Sequence, residues 1–132
     1  MKKTVWIFAL IAATVASTSS FANSSKELFT AAQRKEVVRA IDDVCGDTWC
    51  EGDFNFQFND FSCDKKTFAC ELNFQFIKSD NTVKGTFSPV QICRFENIKE
   101  FNQVMDTKYS LADSFYEALT DCISEKEDHI EF

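Results

Sequence analysis

The sequence predicts an α+β fold: an N-terminal helix, an antiparallel meander of three to four strands, and two C-terminal helices packed on one sheet face, the whole stapled by disulfides. Three observations predict it. After Thr30, Val37, Ile41, Val44 and Cys45 recur at helical spacing and make one apolar stripe. From Phe54 to Phe76 the period changes to two, with Phe54, Phe56 and Phe58 on one side, then Phe68, Cys70, Leu72, Phe74 and Phe76. The chain also carries 6 cysteines, an even number that in an exported small domain implies a disulfide framework.

Export is read from the start of the chain. Lys2 and Lys3 form a positive n-region, Val5 to Val15 an apolar core, and Ser20-Phe21-Ala22 a small-residue cleavage site, so residues 1–22 read as a Gram-negative-type signal peptide cut after Ala22. The apolar run is short for a bilayer span, which takes about 20 residues, so no membrane insertion is expected after cleavage. The expected location is the periplasm or the medium. Residues 23–132 then form a single α+β domain, with 23–29 and 125–132 expected to be loose. The formal charge of the whole chain is −7, and loss of the two signal lysines makes it two units more negative. Such a chain is a poor nucleic-acid ligand, since affinity there comes from Lys and Arg meeting phosphates. A basic protein or a divalent cation is the more natural partner.

The elements follow in order. Thr30-Ala31-Ala32-Gln33 has capping-box spacing and opens the first helix; Gly46 suits its end. Asp47 to Asp53 is a tight polar loop that a Cys45–Cys50 bond would tie to the helix. The first two strands are joined by the turn Asp64-Lys65-Lys66-Thr67. If Cys63 faces Cys70, Phe61 faces Leu72, but an unbroken ladder would then set Asn59 against Phe74 and Gln57 against Phe76. One extra residue restores the match, so a β-bulge is predicted at Asn59-Asp60, with Phe58 opposite Phe74 and Phe56 opposite Phe76. Ser79-Asp80-Asn81 is the next turn, Thr82 to Phe87 a third strand, and Pro89 a break before an extended stretch from Val90 to Phe95. Asn97-Ile98-Lys99-Glu100 has cap spacing for a short helix reaching Met105. Ser110-Leu111-Ala112-Asp113 is read as the cap of the last helix, whose stripe is Leu111, Phe115, Ala118, Leu119, Cys122 and Ile123. Cys122 on that stripe can meet Cys93. Six cysteines allow 15 pairings; the spacing favours Cys45–Cys50, Cys63–Cys70 and Cys93–Cys122. An opening helix followed by a meander resembles the cystatin-like folds in element order, with no inhibitor motif matched.

The candidate chemistry is sparse. Asp47, Glu51 and Asp53 crowd the cross-linked loop and are the residues a Ca²⁺ ion would use. Yet Trp49 and Phe58 stand at the third and twelfth positions of an EF-hand loop, where a carboxylate is needed, so the expectation is a solvated acidic loop and no cofactor. His129 is the lone histidine and sits near the chain end; no Ser–His or Cys–His pair is suggested, and the chain is expected not to be an enzyme. Cys45 and Cys50 lack the Cys-x-x-Cys spacing of thiol oxidoreductases. Trp49, held between two cysteines and flanked by Asp47, Glu51 and Asp53, is the candidate binding feature, because rigid aromatics make interaction hot spots. The expectation is a small exported binding protein with a protein partner, an inhibitor of a secreted hydrolase being its sharpest form. The alternatives are a non-catalytic envelope protein touching cell-wall glycan through Asn55, Gln57, Glu71, Asn73 and Gln75, and a calcium-binding module. Oligomeric state is left open.

Overall fold

The computed structural model describes residues 26–45, 54–78 and 85–132. The first helix begins where the sequence places it. Thr30 accepts from the backbone N–H of Gln33 (3.1 Å), and the Gln33 side chain accepts from the N–H of Thr30 (2.9 Å), so two of the helix's orphan donors are satisfied reciprocally. The helix, α1, runs Ala31–Val44 and buries Arg34, Val37, Ala40 and Ile41.

Two long strands follow, β1 (Phe54–Cys63) and β2 (Cys70–Lys78). Their register has Cys63 opposite Cys70, Phe61 opposite Leu72, Phe58 opposite Phe74 and Phe56 opposite Phe76, with the irregularity between Phe58 and Asp60. The bulge is therefore where the face rule demanded it: one extra residue keeps Phe56, Phe58 and Phe61 on the face of Leu72, Phe74 and Phe76. The turn differs from expectation in one respect. Phe68 does not join the inward row of β2; it takes a positive φ of 57°, and Ala69 is buried in its place. Asp64 organises this turn, accepting from Lys66 N–H through its side chain (2.8 Å) and from Phe68 N–H through its carbonyl (2.8 Å). The Cys63–Cys70 disulfide closes the same end of the hairpin.

On its other side β2 pairs with β3 (Thr86–Phe87) and β4 (Gln91–Phe95). Ile77 faces Phe87, while Phe74 faces Gln91, so the edge carries one residue more than β2 between these pairs. The extra residue lies at Pro89-Val90, as expected for a residue with no N–H to give a ladder. Ser88 holds the break together. It is buried, its N–H donates to Phe76 O (2.8 Å), its hydroxyl accepts from Phe76 N–H (2.9 Å), and the same hydroxyl donates to Pro89 O (2.9 Å). The predicted turn at 79–81 and the first half of the predicted third strand lie outside the described residues.

Downstream, the expectation of two C-terminal helices is corrected. From 97 to 105 there is a single 3-10 turn, Phe101–Gln103. Asn97 has a positive φ of 60°, and the Gln103 side chain accepts from the N–H groups of Lys99 (2.7 Å) and Glu100 (2.9 Å) while donating to Asn97 O (3.0 Å). These bonds close a compact loop instead of propagating a helix. A small hairpin, β5 (Met105–Thr107) with β6 (Ser110–Leu111), follows, its register setting Met105 opposite Leu111. Pairing draws Leu111 into the core before the helix can start, so Ser110 is not the cap. Ala112 is, and α2 runs Asp113–Glu127.

The end expected to be loose from 125 thus remains helical to 127, and Phe132 stacks on Phe54 with ring centroids 5.6 Å apart. The leader differs as well. Leu28 N–H donates to Cys63 O (2.8 Å), and Lys65 N–H donates to Lys26 O (2.8 Å), so residues 26–28 pair along the end of β1. The inner faces of the sheet, α1 and α2 share one core, with Phe61, Leu72, Phe74, Phe76, Ile41 and Leu119 at its centre. Phe115 packs its ring on Phe95 (4.6 Å) and Phe61 (5.7 Å). The Cys93–Cys122 disulfide ties α2 to the edge strand.

Candidate functional site

The two ends of the hairpin are built differently. The Cys63–Cys70 end is sealed by the disulfide, the Asp64 turn and residues 26–28. A buried carboxylate completes the seal: Glu27 accepts from Cys63 N–H (3.1 Å to each oxygen) and Phe29 N–H (3.1 Å) and faces Arg34 Nε at 3.7 Å. The Glu27 and Arg34 side chains are 5% and 10% exposed. Neither residue stood out in the sequence; a Glu three positions ahead of a helix cap reads as leader, and only the edge of β1 gives it a task.

The other end is open. There Phe54, Lys78 and Thr86 lie side by side across the sheet, and the chain leaves it towards 46–53 and 79–84. Its rings are partly uncovered. Phe54 meets Phe76 edge-on (5.9 Å) and Phe132 face-on, Lys78 Nζ sits 6.0 Å from the Phe132 ring centre, and Phe132 itself is 47% exposed. On the outer sheet face Phe87 is 48% exposed beside Ile77, and Ile92 of β4, opposite Asn73, is exposed too.

Four of the predicted site residues, Asp47, Trp49, Glu51 and Asp53, lie outside the described residues, as does Cys50. The flanks of their loop are described. Cys45 is buried and disulfide-bonded, and Phe54 is fixed by its ring contacts. Among the described residues no group of three or more His, Cys, Asp or Glu side chains could hold a metal ion. Of the predicted outer row, Glu71 lies 3.4 Å from Arg94, which is held more firmly protonated by its hydrogen bond to Glu96 (2.7 Å). Gln75 donates to Ser88 O (3.0 Å) and its Oε1 accepts from Asn59 (3.4 Å).

A groove of about 390 Å³ lies between α1 and the bulge of β1, lined by Lys35, Val38, Arg39 and Asp42 on one side and Asn59 and Asp60 on the other. Burial, and then the neighbouring Asp43, pushes the Asp42 carboxyl above its usual value. The sequence did hold a signal for this groove, in the charge order of α1. Its first turn has no acidic residue and its last turn no basic one, the reverse of what a helix dipole favours.

Compared with family models, with curated proteins and with solved structures, the chain matches none.

Proposed function

We propose that this chain is a small exported binding module for another protein, working in the periplasm or the medium, and that it docks through the open end of its sheet. The carrying observation is the pair of half-exposed rings, Phe132 and Phe87, near the end of the sheet formed by Phe54, Lys78 and Thr86. Aromatic side chains supply large contact area at low entropic cost and dominate interface energetics. The disulfides behind them support the reading, because a preorganised surface loses less freedom on binding, and they suit an oxidising compartment. Trp49, with Asp47, Glu51 and Asp53, lies between Cys45 and Phe54 in sequence, and on this reading it contributes to the docking contact. A protein ligand, including a secreted hydrolase held in an inhibited complex, is the partner class.

The test is crosslinked capture from envelope and medium with the mature chain as bait, run beside Trp49→Ala and Phe87→Ser baits. One protein recovered by the wild type and lost with both variants is the expected result. Equal recovery by all three baits would remove the open end as the docking surface.

A second reading, a glycan-contacting envelope protein, is favoured by the outer sheet face, which neither helix covers and which carries Asn73, Gln75 and Glu71. Co-sedimentation with peptidoglycan tests it. A calcium-binding module remains a third proposal through Asp47, Glu51 and Asp53, read by melting in millimolar Ca²⁺ against chelator.

A further inference from the structure

The charges of α1 are arranged against the helix that bears them. Asp42 and Asp43 stand at the negative end of the dipole, where carboxylates are disfavoured, and no basic residue offsets them in that turn. Lys35 and Arg39 add a like-charge pair four residues apart. Among the described residues no ion pair involves Lys35, Arg39, Asp42 or Asp60. All four line the groove between α1 and β1. The bulge supplies the opposite rim, because both its residues, Asn59 and Asp60, stay out of the core while Phe58 and Phe61 turn in.

The groove is therefore bipolar. Along the helix the cations Lys35 and Arg39, with Val38 between them, precede the carboxylate of Asp42, and Asp60 stands on the opposite rim. From Ala31 to Asp42 the helix rises about 16 Å, the length of about five extended residues. Two carboxylates at the negative end of the helix, beside a groove, fit a surface whose charges serve binding.

We propose that this groove takes an extended peptide segment of about five residues with charges of both signs, its carboxylate lying against Lys35 and Arg39 and its cation against Asp42 and Asp60. The proposal rests on the protein-binding reading above and adds to it the kind of segment the partner presents.

The test uses the full mature chain, ¹⁵N-labelled, and five-residue capped peptides with three central alanines. One pair has Glu and Lys at opposite ends, in either order; the others have Glu at both ends or Lys at both ends. The expected result is saturable shifts at the amides of Lys35, Arg39, Asp42, Asn59 and Asp60 with the mixed-charge peptides, about tenfold tighter than with either same-charge peptide, and weakened by salt. Arg39→Gln and Asp42→Asn each lower that affinity about tenfold, whereas Trp49→Ala leaves it unchanged. Asp42→Asn removes a charge the helix dipole opposes, so lost binding in that variant is not lost folding. No saturable shift, equal binding by all peptides, or shifts away from α1 and the bulge overturns the proposal. Because Trp49→Ala separates the two surfaces, partner capture without peptide binding sinks the groove alone, and peptide binding without partner capture sinks the open-end reading alone.

Discussion

At the scale of single residues the molecule turns on a carboxylate. Glu27 is enclosed, accepts from two backbone N–H groups and faces the enclosed Arg34. Replacing it by Ala strands Cys63 N–H and removes the carboxylate that faces the guanidinium, and breaking a buried pair from one side costs far more than the pair contributes. Glu27→Ala is expected to lower unfolding stability by about 3 kcal/mol, read from urea denaturation with an unchanged m-value. A loss under about 0.5 kcal/mol, the range of ordinary surface changes, would contradict the role given to it. Asp42 behaves in the opposite sense. Its raised pKa means that the folded state holds that proton more tightly than the unfolded one. The stability tied to it is therefore full below the unfolded value of about 3.9 and lost as pH rises through the folded value. Asp42→Asn should melt higher than wild type at pH 7, and the difference should vanish below about pH 3.5. A gap that persists at about pH 3 would assign the effect to something other than this ionisation.

At the scale of elements, how much the sequence revealed depended on whether the deciding contact was local or carried by a strict period. The Thr30–Gln33 box is local, and it is present as read. The bulge is legible in the sequence because strand faces alternate with no slack: Cys63 opposite Cys70 and Phe56 opposite Phe76 cannot both hold without one extra residue. The stretch from Asn97 to Ala112 has no strict period, and its local contacts are ones that cap spacing misassigns. Cap spacing at Asn97 is real, but the bonds that decide come from Gln103 reaching back to Lys99, Glu100 and Asn97, and from Leu111 pairing with Met105. Those contacts span only three to six residues, but they are side-chain bonds and a tight hairpin that compete with the helix ladder, and cap spacing alone does not tell the two outcomes apart. They leave α2 with an alanine cap that makes no side-chain hydrogen bond. Ala112 has the extended backbone of an N-cap, φ −65° and ψ 144°, so a hydroxyl there can reach the N–H groups of the first turn. Ala112→Ser should stabilise the protein by about 1 kcal/mol, measured as a shift in urea midpoint. No gain would mean that those groups already have partners in solution.

At the scale of the whole molecule, two described disulfides cross-link the elements that surround one core. The pairing of Cys63 with Cys70 and of Cys93 with Cys122 follows the sequential order that spacing favoured. The groove was less legible, because its rims come from a helix and a strand and only the helix showed an anomaly. The open end could be read only as a loop between cysteines, since Phe132 and Phe87 join it through docking of the chain end and through register. The two described staples also act on different scales. Cys63 and Cys70 are 7 apart in sequence and fix a turn that hydrogen bonds already define; Cys93 and Cys122 are 29 apart and hold α2 over the core. On the loop-entropy model the first bond contributes about 2.5 kcal/mol and the second about 3.6 kcal/mol. The Cys93→Ser/Cys122→Ser protein should therefore be the less stable of the two double variants, by about 1 kcal/mol. It should also be the one in which the amides of α2 exchange faster than those of the hairpin, because Phe115, Leu119 and Ile123 then hold the helix by packing alone. Equal stabilities with uniform exchange would mean that α2 and the hairpin unfold as one unit. In that case the staple would serve the unfolded chain's entropy only and not the placement of α2.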